Sequence, residues 1–224
     1  MSDFDDPFAS EEITPPISEE WEAKRRVSDA IKQLSEVLVT SSPDIQKMHD
    51  IAARLETTAG EFSHSPRLYG RMDWIESGEH GSFGQVSHEL NPLGGYANPV
   101  APPVNTWFEG DKALGHCLCG WVYEGPPGSV HGGYVAAIFD QFMGVAQKLG
   151  DQPGMTGYLH VNYHARTPLN TDLNLEAKLV KVEGRKTIIA ATMRAGNTLT
   201  ASCEALFVEP RSGMYALENQ LGKK

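Results

Sequence analysis

Ser129-Val130-His131-Gly132-Gly133, running into Tyr134 to Leu149, is the stretch on which the fold turns. Within it Val135, Ile138, Phe139, Phe142, Met143 and Ala146 recur at helical spacing, which predicts one strongly apolar helix of about four turns. Gly150 stands where a helix C-cap belongs. On the other side, Gly125-Pro126-Pro127-Gly128 breaks the chain just before the motif.

Downstream of Met155 the apolar period switches from helical to two. Leu159, Val161, Tyr163 and Ala165 share one strand face, and Tyr158, His160, Asn162, His164 and Arg166 the other. Leu173, Leu175, Ala177 and Leu179 alternate next, up to a turn at Glu183-Gly184. Thr187, Ile189, Ala191 and Met193 follow, up to Gly196-Asn197, and Leu199, Ala201, Cys203, Ala205 and Phe207 close the series. The turn chemistry predicts antiparallel hairpins. One long apolar helix beside antiparallel strands is an α+β architecture, with the sheet wrapped on the helix.

Upstream, Ser82 to Leu90 is expected as a first strand, and Ala113 to Tyr123 as another. Asn91 to Val104 between them carries four prolines and the pair Gly94-Gly95, so it is expected as a loop. Further back, Val27, Ile31, Leu34 and Leu38 fall at helical spacing. Ser42-Pro43-Asp44 is a helix start, with Ser42 as cap and Pro43 at the first position, followed by Ile45, Met48, Ile51, Ala52 and Leu55. The expected organisation is a disordered acidic tail over 1–17, a helical hairpin over 18–60, the main domain over 80–209 and a tail over 210–224. The hairpin is read as a packing or solubilising element.

The apolar and charged fractions, 40% and 21%, are those of a soluble globular protein. No run approaches the roughly 20 apolar residues of a membrane helix, so no membrane insertion is expected. The acidic N-terminus lacks the apolar core of a signal peptide. Cys117, Cys119 and Cys203 are an odd set without a disulfide framework, and a reducing cytoplasm is the expected location. Lys and Arg number 19 against 29 Asp and Glu, a net charge of −10, and no basic stripe is present, which argues against nucleic acid as a partner. There is no Gly-x-Ser-x-Gly elbow, no His-Glu-x-x-His helix and no phosphate loop. Cys117-x-Cys119 has no two further ligands at metal spacing, so no metal site is expected.

His131-Gly132-Gly133 sits at a helix N-terminus, where unpaired N–H groups and the helix dipole favour negative charge. Such a start can bind phosphate or stabilise an oxyanion, and close packing would explain two glycines equally well. Asp140 lies in the middle of the apolar helix, where a carboxylate is costly to bury without a partner. It falls seven residues after Gly133, on the same helix face as Ala136, Ala137 and Gly144. Seven residues at helical rise is about 10 Å. An amide donor and a catalytic group each need to be within about 3 Å of the reacting carbonyl. If both serve one reaction, a second subunit is expected to supply one of them, and a two-fold dimer would create two such sites.

His131-Gly132-Gly133 with Asp140 resembles the hotdog-fold thioesterases of the phenylacetate-pathway (PaaI-like) type. Leu159-His160-Val161-Asn162-Tyr163, Arg166-Thr167-Pro168-Leu169 and Val182-Glu183-Gly184-Arg185-Lys186 are similar to the human thioesterase-superfamily acyl-CoA hydrolases. The likeness covers roughly residues 80 to 209. It implies a hotdog domain, a homodimer or dimer of dimers, and hydrolysis of acyl-CoA without metal or other cofactor. By position it implies Asp140 as the catalytic carboxylate, the amides around Gly132 and Gly133 as the oxyanion hole, His131 as support for that turn, and Thr156 as a hydroxyl near the reacting centre. Asn162 and His164 match substrate contacts on a strand, and Arg185 and Lys186 match contacts at a hairpin. His164 stands where relatives carry a basic residue, which makes the expected contact with CoA pH-dependent.

Two other functions fit the same pattern. A hydratase or dehydratase acting on acyl thioesters would pair a histidine with an acid, and His131 with Asp140 keeps it open. A non-catalytic acyl-CoA-binding protein would use the N-terminal hairpin and acidic tail as its partner surface.

Overall fold

Six antiparallel strands form one sheet in the order β1-β2-β4-β5-β6-β3. The computed structural model describes residue 16 and residues 18–211. The expected acidic tail, apart from residue 16, and nearly all of the expected C-terminal tail lie outside the described residues. The strands are β1 (Val104–Glu109), β2 (Lys112–Cys117), β3 (Met155–Tyr163), β4 (Leu173–Glu183), β5 (Lys186–Ala195) and β6 (Thr198–Val208). The helices are α1 (Glu19–Thr40), α2 (Ile45–Ser63), α3 (Gly70–Glu76), α4 (Phe83–Leu90) and α5 (Gly132–Ala146).

The period-two series folds as the alternation predicts. β4 and β5 are a hairpin turned at Glu183-Gly184, and β5 and β6 one turned at Gly196-Asn197. β3 departs from the hairpin expectation. It does not pair with β4, its successor, but crosses the sheet to pair with β6, and so becomes an edge. α5 lies on the inner face. Ile138, Phe139, Phe142 and Met143 are fully buried against Leu173, Leu175, Ile189, Met193 and Phe207 in one core. Gly115 on β2 admits the Phe142 ring, since a Cβ there would lie 2.9 Å from it.

Several local expectations are corrected. Ser82 to Leu90 is helix α4: the Ser82 hydroxyl accepts the Gln85 N–H, and the Gln85 side chain accepts the Ser82 N–H in return. The first strand is instead β1, and β2 stops at Cys117 well short of Tyr123, where Trp121–Tyr123 form a 3-10 turn. α5 gives way to a second 3-10 turn, Gln147–Gly150, and the left-handed residue after it is Asp151 (φ 52°) rather than Gly150. Gly150 is small for a packing reason: an added Cβ would meet Thr187 Cγ2 at 3.0 Å. The cap of α2 is Asp44, whose Oδ1 accepts the Lys47 N–H at 2.8 Å, and not Ser42. α2 also runs to Ser63, beyond the expected end of the hairpin.

Candidate active site

The α5 start is built by the segment that precedes it. Glu124 bridges Val130 across the Gly125–Gly128 turn, and the His131 N–H donates to the Tyr123 carbonyl at 2.9 Å. Gly125 must lack a side chain, because a Cβ there would lie 2.6 Å from the His131 Cα. His131 then caps the helix: its ring Nδ1 accepts the Gly133 N–H at 3.0 Å. Of the two glycine amides expected as an oxyanion hole, one is therefore already engaged. No acceptor for the Gly132 N–H is found among the described residues.

Tyr163, expected only as a member of the apolar face of β3, donates its hydroxyl to the Gly132 carbonyl at 2.8 Å. A tyrosine within an apolar row is the signal that marks it, since an amphipathic ring carries a polar tip that can find a partner. A pocket of about 280 Å³ opens beside this bond, lined by Gly132, Val135, Tyr163, His164 and Arg166.

Asp140 lies further along the same, less buried face of α5 as Gly133, Ala136, Ala137 and Gly144. Its Oδ1 accepts the Thr156 hydroxyl at 2.8 Å. Beyond it lies a buried polar group missing from the sequence reading. The Gln147 side chain accepts the Gly154 N–H at 2.6 Å and donates to the Gly144 and Gly154 carbonyls, tying the end of α5 to the start of β3. A β-bulge between Thr156 and Tyr158 then keeps Thr156 on the inner face, in register with Phe207.

The other expected contacts are spread over the sheet. Asn162 is in register with Ser202 and lies on the outer face, away from α5. His164 Nε2 is 2.8 Å from the Ser202 hydroxyl, and its ring lines the pocket beside Gly132. Arg185 donates to the Glu209 carbonyl at 2.6 Å. Lys186 pairs with Val208, which pairs in turn with Met155, so the basic pair stands at the Thr156 end of β3. Asn162 and His164 stand at the other end. Within one chain, then, Asp140 and Thr156 meet, and Gly132 and His164 meet, while the two basic residues stand apart from the second group.

Two of the three thiols are held in the protonated form. Burial pushes Cys203 up to about 11, helped by the charge of Asp140, while the hydrogen bond from the Cys117 thiol to Cys119 Sγ holds Cys117 far above the usual thiol range and lowers Cys119. Among the described residues no group of three or more His, Cys, Asp or Glu side chains is placed to hold a metal ion. Nor is any described helix long and apolar enough to cross a membrane.

The model of the thioesterase superfamily matches residues 127–212, which takes in α5 and all four strands after it. A solved structure described as a thioesterase superfamily protein is 33% identical, with a TM-score of 0.70, and the match covers 87% of this chain and 97% of that one. This chain belongs to the thioesterase superfamily. A match of that extent cannot be confined to residues 80–209, so the likeness to this superfamily member takes in N-terminal helices as well. Acyl-coenzyme A thioesterase THEM4 of Mus musculus is 33% identical over 88 residues, 38% of this chain and 38% of its own length. THEM4 of Xenopus laevis is 33% identical over the same length, 40% of its own. The matched part thus spans well under half of these curated superfamily relatives. The fold is the hotdog of this superfamily, with its antiparallel sheet curled about one long helix.

Proposed function

We propose that this chain hydrolyses acyl-CoA thioesters to the free acid and CoA, with Asp140 as the reactive carboxylate. The observation that carries this is the Asp140–Thr156 pair at 2.8 Å, on the one face of an otherwise apolar helix that the sheet leaves open. The Gly132 N–H at the helix start polarises the thioester carbonyl and receives the charge of the tetrahedral intermediate. Asp140 either takes a proton from the attacking water or attacks the carbonyl carbon itself to give a mixed anhydride. In both routes the C–S bond breaks, CoA leaves as thiolate and a proton reaches its sulfur; on the second route water then cleaves the anhydride to the free acid and restores the Asp140 carboxylate. The Thr156 hydroxyl orients the carboxylate and leaves its second oxygen free. Incorporation of labelled oxygen from water into Asp140 in a single turnover separates the two routes.

Gly133 and Asp140 are about 10 Å apart along the helix, which supports a site shared between two chains. β3 is an exposed edge of nine residues without proline, and an open edge is a template for pairing. Antiparallel pairing of two β3 strands about a two-fold axis sets the His164 end of one beside the Met155 end of the other. Gly132 and His164 of one chain then face Asp140 and Thr156 of the next, and Arg185 and Lys186 reach the same site to hold CoA phosphates. The assembly is a homodimer or a dimer of dimers. Three free, buried cysteines support a cytoplasmic location.

The hydratase reading requires a histidine and an acid working together on one carbon. Here the His131 ring accepts from Gly133 and Asp140 from Thr156, so that pair is not assembled within the chain. CoA release from short, medium, long and aromatic acyl-CoAs, with native protein and Asp140→Asn, tests the proposal. A loss of about 10²–10⁴-fold in kcat with folding retained is expected. No release from any substrate, or a variant as fast as the native chain, removes the reading in favour of a binding protein or a hydratase.

A further inference from the structure

α1 meets the rest of the chain with the wrong face. Trp21, Arg25, Ser28, Lys32 and Glu36 recur every three or four residues and point inward. Arg25 binds the fully buried Glu89 with both carboxylate oxygens engaged, and Glu36 accepts the N–H groups of Trp121 and Val122. Ser28 is buried as well. The apolar stripe of α1, from Val27 and Ile31 to Val37 and Leu38, faces outward. α2 goes further, having no buried residue at all. Its Ile45, Met48, Ala52, Leu55, Ala59 and Phe62 follow a strict three-four alternation, the seam of a coiled coil. Ile45 is 70% exposed and Phe62 58%. Between the two helices lies a groove of about 830 Å³, lined by Val27, Ile31, Leu34, Leu55, Ala59 and Phe62.

A 19-residue helix with nothing buried is marginal in water and draws its stability from packing of its apolar face. We infer that the α1–α2 groove is the contact surface for the same groove of a second copy of this chain, the two hairpins closing into a four-helix bundle. The 3.5-residue period selects a helix as occupant, because a seam of that width is made for knobs of a facing helix. Charge argues against an anionic lipid surface. α1 carries four basic residues (Lys24, Arg25, Arg26, Lys32) against five acidic ones (Glu19, Glu20, Glu22, Asp29, Glu36). α2 carries two (Lys47, Arg54) against three (Asp50, Glu56, Glu61), where a surface helix would be rich in Lys and Arg. The area is adequate too. Two helices about 28 Å long and about 10 Å wide each offer about 560 Å² per chain, or about 1,100 Å² in all, above the roughly 1,000 Å² a specific interface needs. Because one groove meets its own copy, the contact is isologous and closes on itself.

This contact is separate from the β3 edge, so the two make different predictions for mass. Sedimentation velocity of the full chain at micromolar concentration compares the native protein with Leu55→Glu/Phe62→Glu and with Asp50→Lys on the polar side of α2. The double variant is expected to halve the particle, with self-association weakened at least 100-fold, while Asp50→Lys leaves it unchanged. With β3 pairing the change is from four chains to two; without it, from two chains to one, and the inference holds in both cases. CoA release is untouched in either, since Leu55, Phe62 and Asp50 all lie on α2, outside the candidate active site. As a second measure that leaves the stripe intact, Thr58→Cys on the groove wall is joined by a short bis-maleimide linker, the native cysteines all being buried. Crosslinked pairs are expected. Equal mass for native and double variant, a single-chain native particle, or no crosslinked pair overturns the inference. So does a stripe whose loss leaves mass unchanged but abolishes binding to phosphatidylcholine vesicles, which would make lipid the occupant.

Discussion

α5 and α1 are both amphipathic helices, and they are mounted in opposite senses. α5 turns Ile138, Phe139, Phe142 and Met143 into the core and leaves its small residues and one carboxylate on the open side. α1 turns an arginine, a serine, a lysine and a glutamate inward and leaves valine, isoleucine and leucine outside. The first arrangement is what the hydrophobic effect selects for a helix that has found its partner. The second is fastened by charge-assisted hydrogen bonds and by the one buried aromatic, Trp21, and it leaves an apolar surface open. The proposed shared site and the inferred hairpin contact rest on these two open faces, one on a buried helix and one on a peripheral helix.

The comparison can be broken by truncating each helix in turn. Phe142→Ala empties a fully buried ring site and is expected to cost about 3–5 kcal/mol, read as a shift in denaturation midpoint. Phe62→Ala in the dissociated chain is expected to cost under about 0.5 kcal/mol. Equal losses would mean that α2 is as well packed as α5. Glu89→Ala tests the polar mounting of α1: removing one partner of a buried ion pair costs about 3 kcal/mol, and urea denaturation should register it with the sheet still intact.

His88 sharpens the same point through pH. Burial beside the Arg25 charge pushes it down to about 4, below its ordinary 6.5. A group depressed in the folded state is neutral there, while the unfolded chain takes up a proton below 6.5. Its contribution is therefore complete above pH 6.5 and is lost as pH falls towards about 4. The full shift corresponds to about 3 kcal/mol, less what partial solvent contact removes. Thermal melts between pH 7 and 4 should show an acid limb that His88→Gln flattens. The smallest expected effect is at the α5 start. Tyr163→Phe deletes one hydrogen bond to the Gly132 carbonyl, worth about 1 kcal/mol, and should lower kcat about fivefold with KM nearly unchanged. A change confined to KM would mean that Tyr163 serves the pocket and not the turn.

Periodicity made α5 and the last four strands legible, since apolar residues there repeat at helical spacing and at two. Asp140 was legible as the one charge in an apolar helix, and Thr156 only through family likeness. β1 was hidden because a six-residue edge strand buries a single residue, Thr106, and so leaves almost no alternation to read. The Ser82 to Leu90 error had its correction in plain view, in the Ser-x-x-Gln spacing of a capping box. The partner of Tyr163 was illegible for another reason: its hydroxyl meets the Gly132 carbonyl across 31 residues of chain, and no single window holds both.

The sequence by itself determined α5, the last four strands and the positions of Gly132, Gly133 and Asp140, because these follow from local spacing. Only the tertiary structure decided that β3 crosses to the far edge beside β6, that the Tyr163 hydroxyl reaches the Gly132 carbonyl, and that α1 turns Arg25 and Glu36 inward. Those outcomes depend on which distant backbone groups and charges find one another. That competition is settled by the packed core and the buried ion pair, and not by any pattern within a single segment.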